Sequence, residues 1–186
     1  MPLSFTGPAV ALPSIARALG GEPVALNWVT NAFMLAFGSA LLVAGALADR
    51  YGRRRVFLAG TALFIAASIG LVYAPGIVSF DWLRAAQGLG GAAIFSGGAA
   101  ALAQEFDGLP RMRAFSLLGA SFGAGLSFGP ISSAWLIEHY GWRSIFLLVT
   151  GLAVVAFVLG ARSLRESRDP DAVSYTHLTL PTIYSV

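Results

Sequence analysis

The sequence predicts an all-α membrane protein with six transmembrane helices, and its composition is the first reason. Of its 186 residues, 56% are hydrophobic and 11% are charged, whereas a soluble domain is typically about 25% charged. A soluble chain of this size has too much surface to keep so many apolar side chains away from water. Long uncharged segments, with arginine clustered between them, are the other two reasons.

Six uncharged segments have lengths near that of a bilayer crossing, which takes about 20 helical residues. The first is shorter than the others, contains Pro8 and Pro13, and ends near Arg17 before the turn-like residues 20–23. The remaining apolar segments are each bounded by charged or turn-forming residues. The predicted spans cover about residues 1–19, 23–48, 55–74, 77–104, 113–138 and 143–162, which form one six-helix domain over residues 1–165.

The arginine positions predict the orientation of these helices, because positive loops are retained on the cytoplasmic side of a membrane. Arg17 and Arg143 lie at one set of helix ends. The opposite and more basic ends hold Arg50, Arg53, Arg54, Arg55, Arg111, Arg113, Arg162, Arg165 and Arg168. We therefore expect both ends of the chain, including the start of a linker at residues 166–172, to be cytoplasmic.

The turn between the second and third spans carries one acid and four arginines, in the stretch Gly45-Ala-Leu-Ala-Asp-Arg-Tyr-Gly-Arg-Arg-Arg55. Gly52 permits a tight reversal, and Asp49 can form charge-assisted hydrogen bonds with the arginines. This pattern resembles the signature loop of major facilitator superfamily transporters. The resemblance implies a conformational latch in which Asp49 contacts a helix of the other half of the protein. The alternative is that the arginines only set the topology. The latch residues are Gly45, Asp49, Arg50, Gly52, Arg53 and Arg54.

A second pattern lies in the fourth span, where Arg84 is followed by Gln87 and Gly88. An arginine inside a membrane helix costs roughly 2.5–3.5 kcal/mol on insertion scales, so it usually has a partner and a function. The pattern is similar to one in proton-coupled exporters of the superfamily, which implies that Arg84 takes part in proton coupling. In a local alternative, Arg84 pairs with Asp81 on the same helical face and extends to the membrane interface.

A third pattern, Gly125, Gly129 and Pro130 in the fifth span, resembles the antiporter motif of drug:proton exporters. Pro130 removes a helix hydrogen bond and should kink the span, and the glycines allow a partner helix to come close. Ser133 and Ala134 stand where the family motif ends in two glycines. A proline with no coupling role is the alternative.

The last residues, 173–186, differ in character from the rest. Their start, Val-Ser-Tyr-Thr-His-Leu-Thr-Leu-Pro-Thr, matches the translation of a transposon adaptor used in sequencing libraries. Such segments are excluded from fold reasoning, and we expect the natural reading frame to continue beyond about Ala172.

These patterns predict the N-terminal half of a secondary active transporter in a bacterial inner membrane, exporting small molecules or drugs in exchange for protons. Its expected partners are lipid, substrate, protons and a C-terminal half. Uptake of a sugar or metabolite and a non-transporting membrane protein are the alternatives.

Because the arginines lie at helix ends rather than along one face, no nucleic-acid partner is expected. The chain has no cysteine and no catalytic or nucleotide-binding motif, so the sequence predicts neither an enzyme nor a metal or other cofactor. The proton-carrying acid is not identified.

Overall fold

A computed structural model describes residues 2–164 of the chain. Within that range the backbone forms six α-helices and no strand, so the prediction of an all-α fold is confirmed. The predicted linker at 166–172 and the predicted adaptor-derived segment at 173–186 lie outside the described residues. The helices are α1 (Pro2–Leu19), α2 (Pro23–Tyr51), α3 (Arg53–Val72), α4 (Ile77–Glu105), α5 (Gly108–Tyr140) and α6 (Arg143–Ser163).

The connections between helices are short, and glycine occupies two of the tightest. Gly52 alone separates α2 from α3, with φ of 108° and ψ of 132°. This conformation suits glycine because a Cβ atom would clash there. Gly141 ends α5 with φ of 78°. Turns this short return the chain alongside the helix it has just left.

Four of the six helices, α2, α3, α5 and α6, are long and apolar enough to cross a membrane, judged by length and composition. The other two, α1 and α4, do not meet that criterion. The first contains Pro8 and Pro13, and the second combines many glycines with Arg84 and Gln87. Both nevertheless pack in the same bundle as the other four helices, so the chain is a multi-pass membrane protein.

Helix α4 lies between α2 and α3, and glycine lets their backbones touch. A Cβ atom on Gly88 would lie 2.5 Å from the carbonyl oxygen of Phe33 on α2. One on Gly90 would lie 2.8 Å from the carbonyl oxygen of Gly60 on α3. Because small residues are what allow membrane helices to approach so closely, these glycines fix the position of α4 at the centre of the bundle.

Two apolar clusters fill the interior. The smaller contains Phe33, Phe64, Val149 and Ala153. In the larger cluster, the Phe80 ring packs edge-on against Trp142 and Phe146, at centroid distances of 5.8 and 5.5 Å. In contrast, the buried residues of α5 are only Gly129 and Ser133. The apolar side chains of α5 therefore face outward, as expected for a helix in contact with lipid or with another membrane segment.

Candidate functional site

Arg84 is buried at the centre of the helix bundle, with 1% of its surface exposed. Its Nε donates to the carbonyl oxygen of Val29 on α2 at 2.8 Å, and one terminal nitrogen donates to that of Ser4 on α1 at 3.0 Å. The other terminal nitrogen donates to Oε1 of Gln87, and the guanidinium lies 4.4 Å from the ring centroid of Phe33. Arg84 thus ties α1 and α2 to α4.

The acceptor on α1 is available because of a proline. In a helix the carbonyl of residue 4 receives the N–H of residue 8, but Pro8 has no N–H. The carbonyl of Ser4 would otherwise be a buried acceptor without a donor, which costs free energy. Arg84 supplies that donor, so Pro8 and Arg84 complement each other across two helices.

Gln87 carries the network on to α3. The Gln87 side chain is fully buried, and its Nε2 donates to Oγ of Ser68 at 2.7 Å. Ser68 in turn donates to the carbonyl oxygen of Phe64 at 2.6 Å. One chain of hydrogen bonds therefore connects four helices. A buried polar network whose members are satisfied in this way rigidifies and specifies the packing around it.

The local alternative for Arg84 is not what the structure contains. Within residues 2–164, Arg84 makes neither a hydrogen bond nor an ion pair with Asp81, and it does not reach the surface. Oδ1 of Asp81 is buried and has no hydrogen-bond partner among the described residues. The helical spacing of the two residues suggested a pair, but the free carbonyl of Ser4 on α1 and the carbonyl of Val29 on α2 offer Arg84 nearer acceptors.

The arginines of the α2–α3 turn have a different environment. Arg53 forms an ion pair with Asp49 at 3.2 Å, and the side chains of the two are 18% and 41% exposed. It also donates to the carbonyl oxygen of Ala100 at 3.1 Å and to Oε1 of Gln104 at 2.9 Å, both near the end of α4. Arg54 donates to the carbonyl oxygen of Ala161 in the last turn of α6 at 2.8 Å.

Two other residues predicted for the latch, Arg50 and Gly45, have open space around them among the described residues. Arg50 is exposed, with its guanidinium 5.4 Å from the ring centroid of Tyr51. A Cβ atom on Gly45 would have nothing within 4 Å among the described residues. Since residues four apart share a helix face, Gly45 and the half-exposed Asp49 form one open strip on α2. Gly52 makes the tight turn, as predicted from its sequence position.

The antiporter-type motif of α5 packs against the start of α1. A Cβ atom on Gly125 would lie 2.6 Å from Cβ of Pro2, and one on Gly129 would collide with Oγ1 of Thr6. Helix α5 is continuous through Pro130. The two glycines therefore let α1 and α5 cross closely.

Two predicted motifs meet on the same turn of α1. Pro2 and Thr6 contact the glycines of α5, and the carbonyl of Ser4 between them accepts from Arg84. The latch residues form a separate cluster at one end of the bundle. The structure thus joins the Arg84 and Gly125 motifs physically, through α1, whereas the sequence showed them only as separate patterns.

Sequence reasoning missed Ser4, Ser68 and Pro8 as parts of the Arg84 network, and it named no role for Asp81 beyond pairing with Arg84. For Pro8 a signal was present, since a proline inside a helix always leaves a carbonyl four residues earlier without its N–H. No sequence signal pointed to Ser4 or Ser68, because their part in the network depends on which helix packs against them.

Within residues 2–164 no group of histidine, cysteine, aspartate or glutamate side chains is arranged to hold a metal ion.

Comparison with known proteins identifies the family. A family model described as Major Facilitator Superfamily matches residues 1–178. The chain belongs to this superfamily. The sequence resemblance, which rested on three short motifs, is thereby confirmed.

Similar curated proteins carry names that describe efflux, transport or export. The multidrug efflux pump LfrA of Mycolicibacterium smegmatis is 31% identical over 188 residues, which cover 96% of this chain and 37% of that protein. The probable actinorhodin transporter of Streptomyces coelicolor is 34% identical over 165 residues, which cover 87% of this chain and 28% of that protein. The cephamycin export protein CmcT of Amycolatopsis lactamdurans is 37% identical over 162 residues, which cover 86% of this chain and 33% of that protein. The chain spans about a third of the length of these curated relatives.

Proposed function

We propose that this chain is the N-terminal six-helix half of a secondary active transporter that exports drug-like small molecules in exchange for protons. The observation that carries the proposal is the buried Arg84, held by α1, α2 and Gln87. An ionisable residue kept inside a membrane bundle is costly and by default marks a functional site. The names of the relatives, which describe efflux and export, favour this direction of transport over uptake.

A second six-helix half would complete the transporter. The share of each relative that the chain covers supports this. In transporters built from two such halves, the substrate binds near the bilayer midplane between them, and the halves rock around it. The outward-facing apolar surface of α5 is suited to contact that second half.

Asp49 and Gly45 are proposed to latch the two halves together in one state. The strip that they form on α2 is open, and a glycine there allows a second helix to approach the Asp49 carboxylate closely. Arg53 pairs with Asp49 on one side, which leaves the remaining acceptor capacity of the carboxylate for a donor on the other half.

The proposed location is a bacterial inner membrane, with the α2–α3 turn and both ends of the chain in the cytoplasm. Arg53 and Arg54 bring the ends of α4 and α6 to this turn, so the basic segments predicted to lie inside are gathered at one side of the bundle. The positive-inside rule then places that side in the cytoplasm.

The test begins with long-read sequencing of the source gene across the codon for Ala172, which recovers the natural reading frame. The full-length protein is then expressed in an efflux-deficient bacterium, and accumulation of fluorescent drugs is measured with and without a protonophore. We expect lower accumulation than in a vector control, and the protonophore should abolish the difference. Residues 1–172 expressed alone should not lower accumulation. Raised accumulation would indicate uptake, and an unchanged level for every compound would contradict a transporter.

A further inference from the structure

Asp81 differs from the other acidic residues between positions 2 and 164 in lying inside a helix without a bond to a buried oxygen. It is the fifth residue of α4, and its Oδ1 is buried and accepts no hydrogen bond from the described residues. Asp49, by contrast, is paired with Arg53. The remaining acids of this range are exposed, at or near helix ends: Glu22, Glu105, Asp107 and Glu138. An ionisable side chain inside a membrane helix marks a functional site by default.

The charge of the Asp81 carboxylate is not offset by a bond to the neighbouring cation. Arg84 lies one turn further along α4, but its Nε and both terminal nitrogens are bonded to Val29, Gln87 and Ser4. An ionised oxygen that has lost hydration without gaining a donor costs free energy, and a proton on the carboxyl group removes that charge. Arg84 cannot exchange a proton itself, because a guanidinium keeps its proton in proteins.

A groove between α2 and α4 gives Asp81 access to water. Its cavity volume is about 610 Å³, room for several water molecules at about 30 Å³ each. Asp81 is the ionisable residue among the described residues that line it. From α2 the lining consists of Trp28, Ala32, Leu35, Ala36 and Ser39. A proton that enters the groove therefore meets one acceptor that can be charged.

The other ionisable groups near this end of the bundle belong to helix ends and turns. Among their described bonds, those of Arg17 stay within α1, and Arg143 donates to the carbonyl oxygen of Val72. None of these groups donates to Oδ1 of Asp81. They are Arg17, Glu22, Tyr73, Glu138, His139, Tyr140 and Arg143. Arg84 is thus the charge whose surroundings depend most directly on the state of Asp81.

The depth of Asp81 suits a group that takes up protons from one side of the membrane. It lies about 6 Å along the axis of α4 from the first residue, at 1.5 Å per residue. The start of α4 is at the end of the bundle opposite to the α2–α3 turn. With that turn in the cytoplasm, as proposed above, Asp81 is one helical turn from the outer surface, where an exporter driven by proton entry loads its proton.

We propose that Asp81 carries the proton that the transporter exchanges for its substrate. This assignment rests on the proposed function, because it names the residue which that exchange requires. A carboxylate oxygen of Asp81 accepts a proton from water in the groove and forms an O–H bond. The bond breaks when the proton returns to water on the cytoplasmic side, and no group is oxidised or reduced. Protonation leaves the charge of Arg84 uncompensated, so the two states of Asp81 act differently on the network that ties α1 and α2 to α4.

Proton binding is tested on the purified 186-residue chain in lipid nanodiscs. Infrared difference spectroscopy follows the C=O stretch of protonated carboxyl groups as the pH is changed. We expect a titrating band that is lost in Asp81→Asn and shifted in frequency in Asp81→Glu. Glu105→Gln, which removes an exposed carboxyl group at the other end of α4, should retain the band. The absence of such a band in the wild type, or a band that both Asp81 variants leave unchanged, would overturn the proposal. If Asp81→Asn does not fold, the shift in Asp81→Glu decides.

Coupling is tested on the full-length protein in proteoliposomes. A pH-sensitive dye reports proton movement driven by a drug gradient, and counterflow reports the exchange of labelled for unlabelled drug without a gradient. In Asp81→Asn we expect loss of drug-driven proton movement with counterflow retained, whereas Asp81→Glu should retain both. A merely structural role would lower the two signals together and would overturn the assignment, as would proton movement at the wild-type rate in Asp81→Asn. If the wild-type protein moves no drug, the proposed function fails, and the infrared titration still decides whether Asp81 binds a proton.

Discussion

Arg84 in the middle of the bundle and Arg54 at its end both donate to backbone carbonyl oxygens, but these acceptors become available in different ways. Arg54 binds the carbonyl of Ala161, which lies in the last turn of α6, where helix carbonyls have no N–H partner. Arg84 binds the carbonyl of Ser4, which lies inside α1 and is free because Pro8 cannot donate to it. A helix end offers acceptors to any nearby cation. Inside a helix, a carbonyl is either freed by a proline, as that of Ser4 is, or accepts a second donor through its other lone pair, as that of Val29 does.

The difference in depth has an energetic consequence. At the turn, water can replace a lost bond, and exposed ion pairs contribute little. Arg84 and Gln87 are buried, so a group there that loses its partner keeps its full desolvation cost. We therefore expect the central network to determine stability as well as function, and the turn cluster to affect function with small changes in stability.

The largest expected effect comes from Arg84→Ala. This change leaves the Ser4 carbonyl and Oε1 of Gln87 without donors, at about 1–3 kcal/mol for each buried group. We expect the free energy of unfolding in detergent to fall by about 3 kcal/mol or more, and transport by the full-length protein to be lost. Arg17→Ala is the matched control, because Arg17 is exposed and its hydrogen bonds among residues 2–164 stay within its own helix. Similar losses of stability for the two variants would mean that burial does not determine how much each arginine contributes to stability.

An intermediate effect is expected at the turn itself. Gly52→Ala places a Cβ atom at φ of 108°, and positive φ costs a non-glycine residue roughly 1–2 kcal/mol. Gly76→Ala is the control, because Gly76 has extended backbone, with φ of −169°, and open space around it. Thermal unfolding in detergent should show a lower midpoint for the first variant and no loss for the second. Equal midpoints would indicate that the α2–α3 turn relaxes without strain.

The smallest change in stability is expected for Asp49→Asn, together with a clear loss of transport. The Asp49–Arg53 pair is partly exposed, so its removal should change the free energy of unfolding by about 1 kcal/mol or less. Loss of a latch contact, at a coupling energy of about 1–3 kcal/mol, should slow drug efflux by the full-length protein about tenfold. Asp107→Asn, an exposed acid on the α4–α5 connection, should behave as wild type. Normal efflux by the Asp49→Asn variant would contradict the latch and would mean that the α2–α3 turn only sets the orientation of the helices in the membrane.

The turn cluster shows how far sequence reasoning reaches. Gly52 was expected to make a tight reversal because its neighbours belong to two long apolar spans, and it does so with positive φ. Asp49 was expected to bond with the arginines beside it, and it forms an ion pair with Arg53 across the turn. The sequence could not predict that Arg53 and Arg54 also bond to α4 and α6, because these partners are 47 and 107 residues away along the chain.

The central network shows where sequence reasoning stops. The sequence marked Arg84, Gln87 and Gly88 as a set, but offered Asp81 as the partner of the arginine. Local spacing is all that a single sequence provides, and it favours partners on the same helix. Once α1 and α2 are packed against α4, the free carbonyl of Ser4 and the carbonyl of Val29 lie within hydrogen-bond distance and bind the guanidinium instead.

Apolar segment length and glycine placement act locally along the chain, so they were enough to predict the class of this protein, its six helices over residues 2–164 and the positions of their turns. Only the packing of the helices shows which carbonyls Arg84 binds, how α1 connects Arg84 to the glycines of α5, and that Oδ1 of Asp81 has no hydrogen-bond partner among residues 2–164. The physical reason is that a buried polar group is satisfied by whichever acceptor or donor packing brings near. That choice depends on the close approach of helices distant in sequence, which glycines such as Gly88 permit.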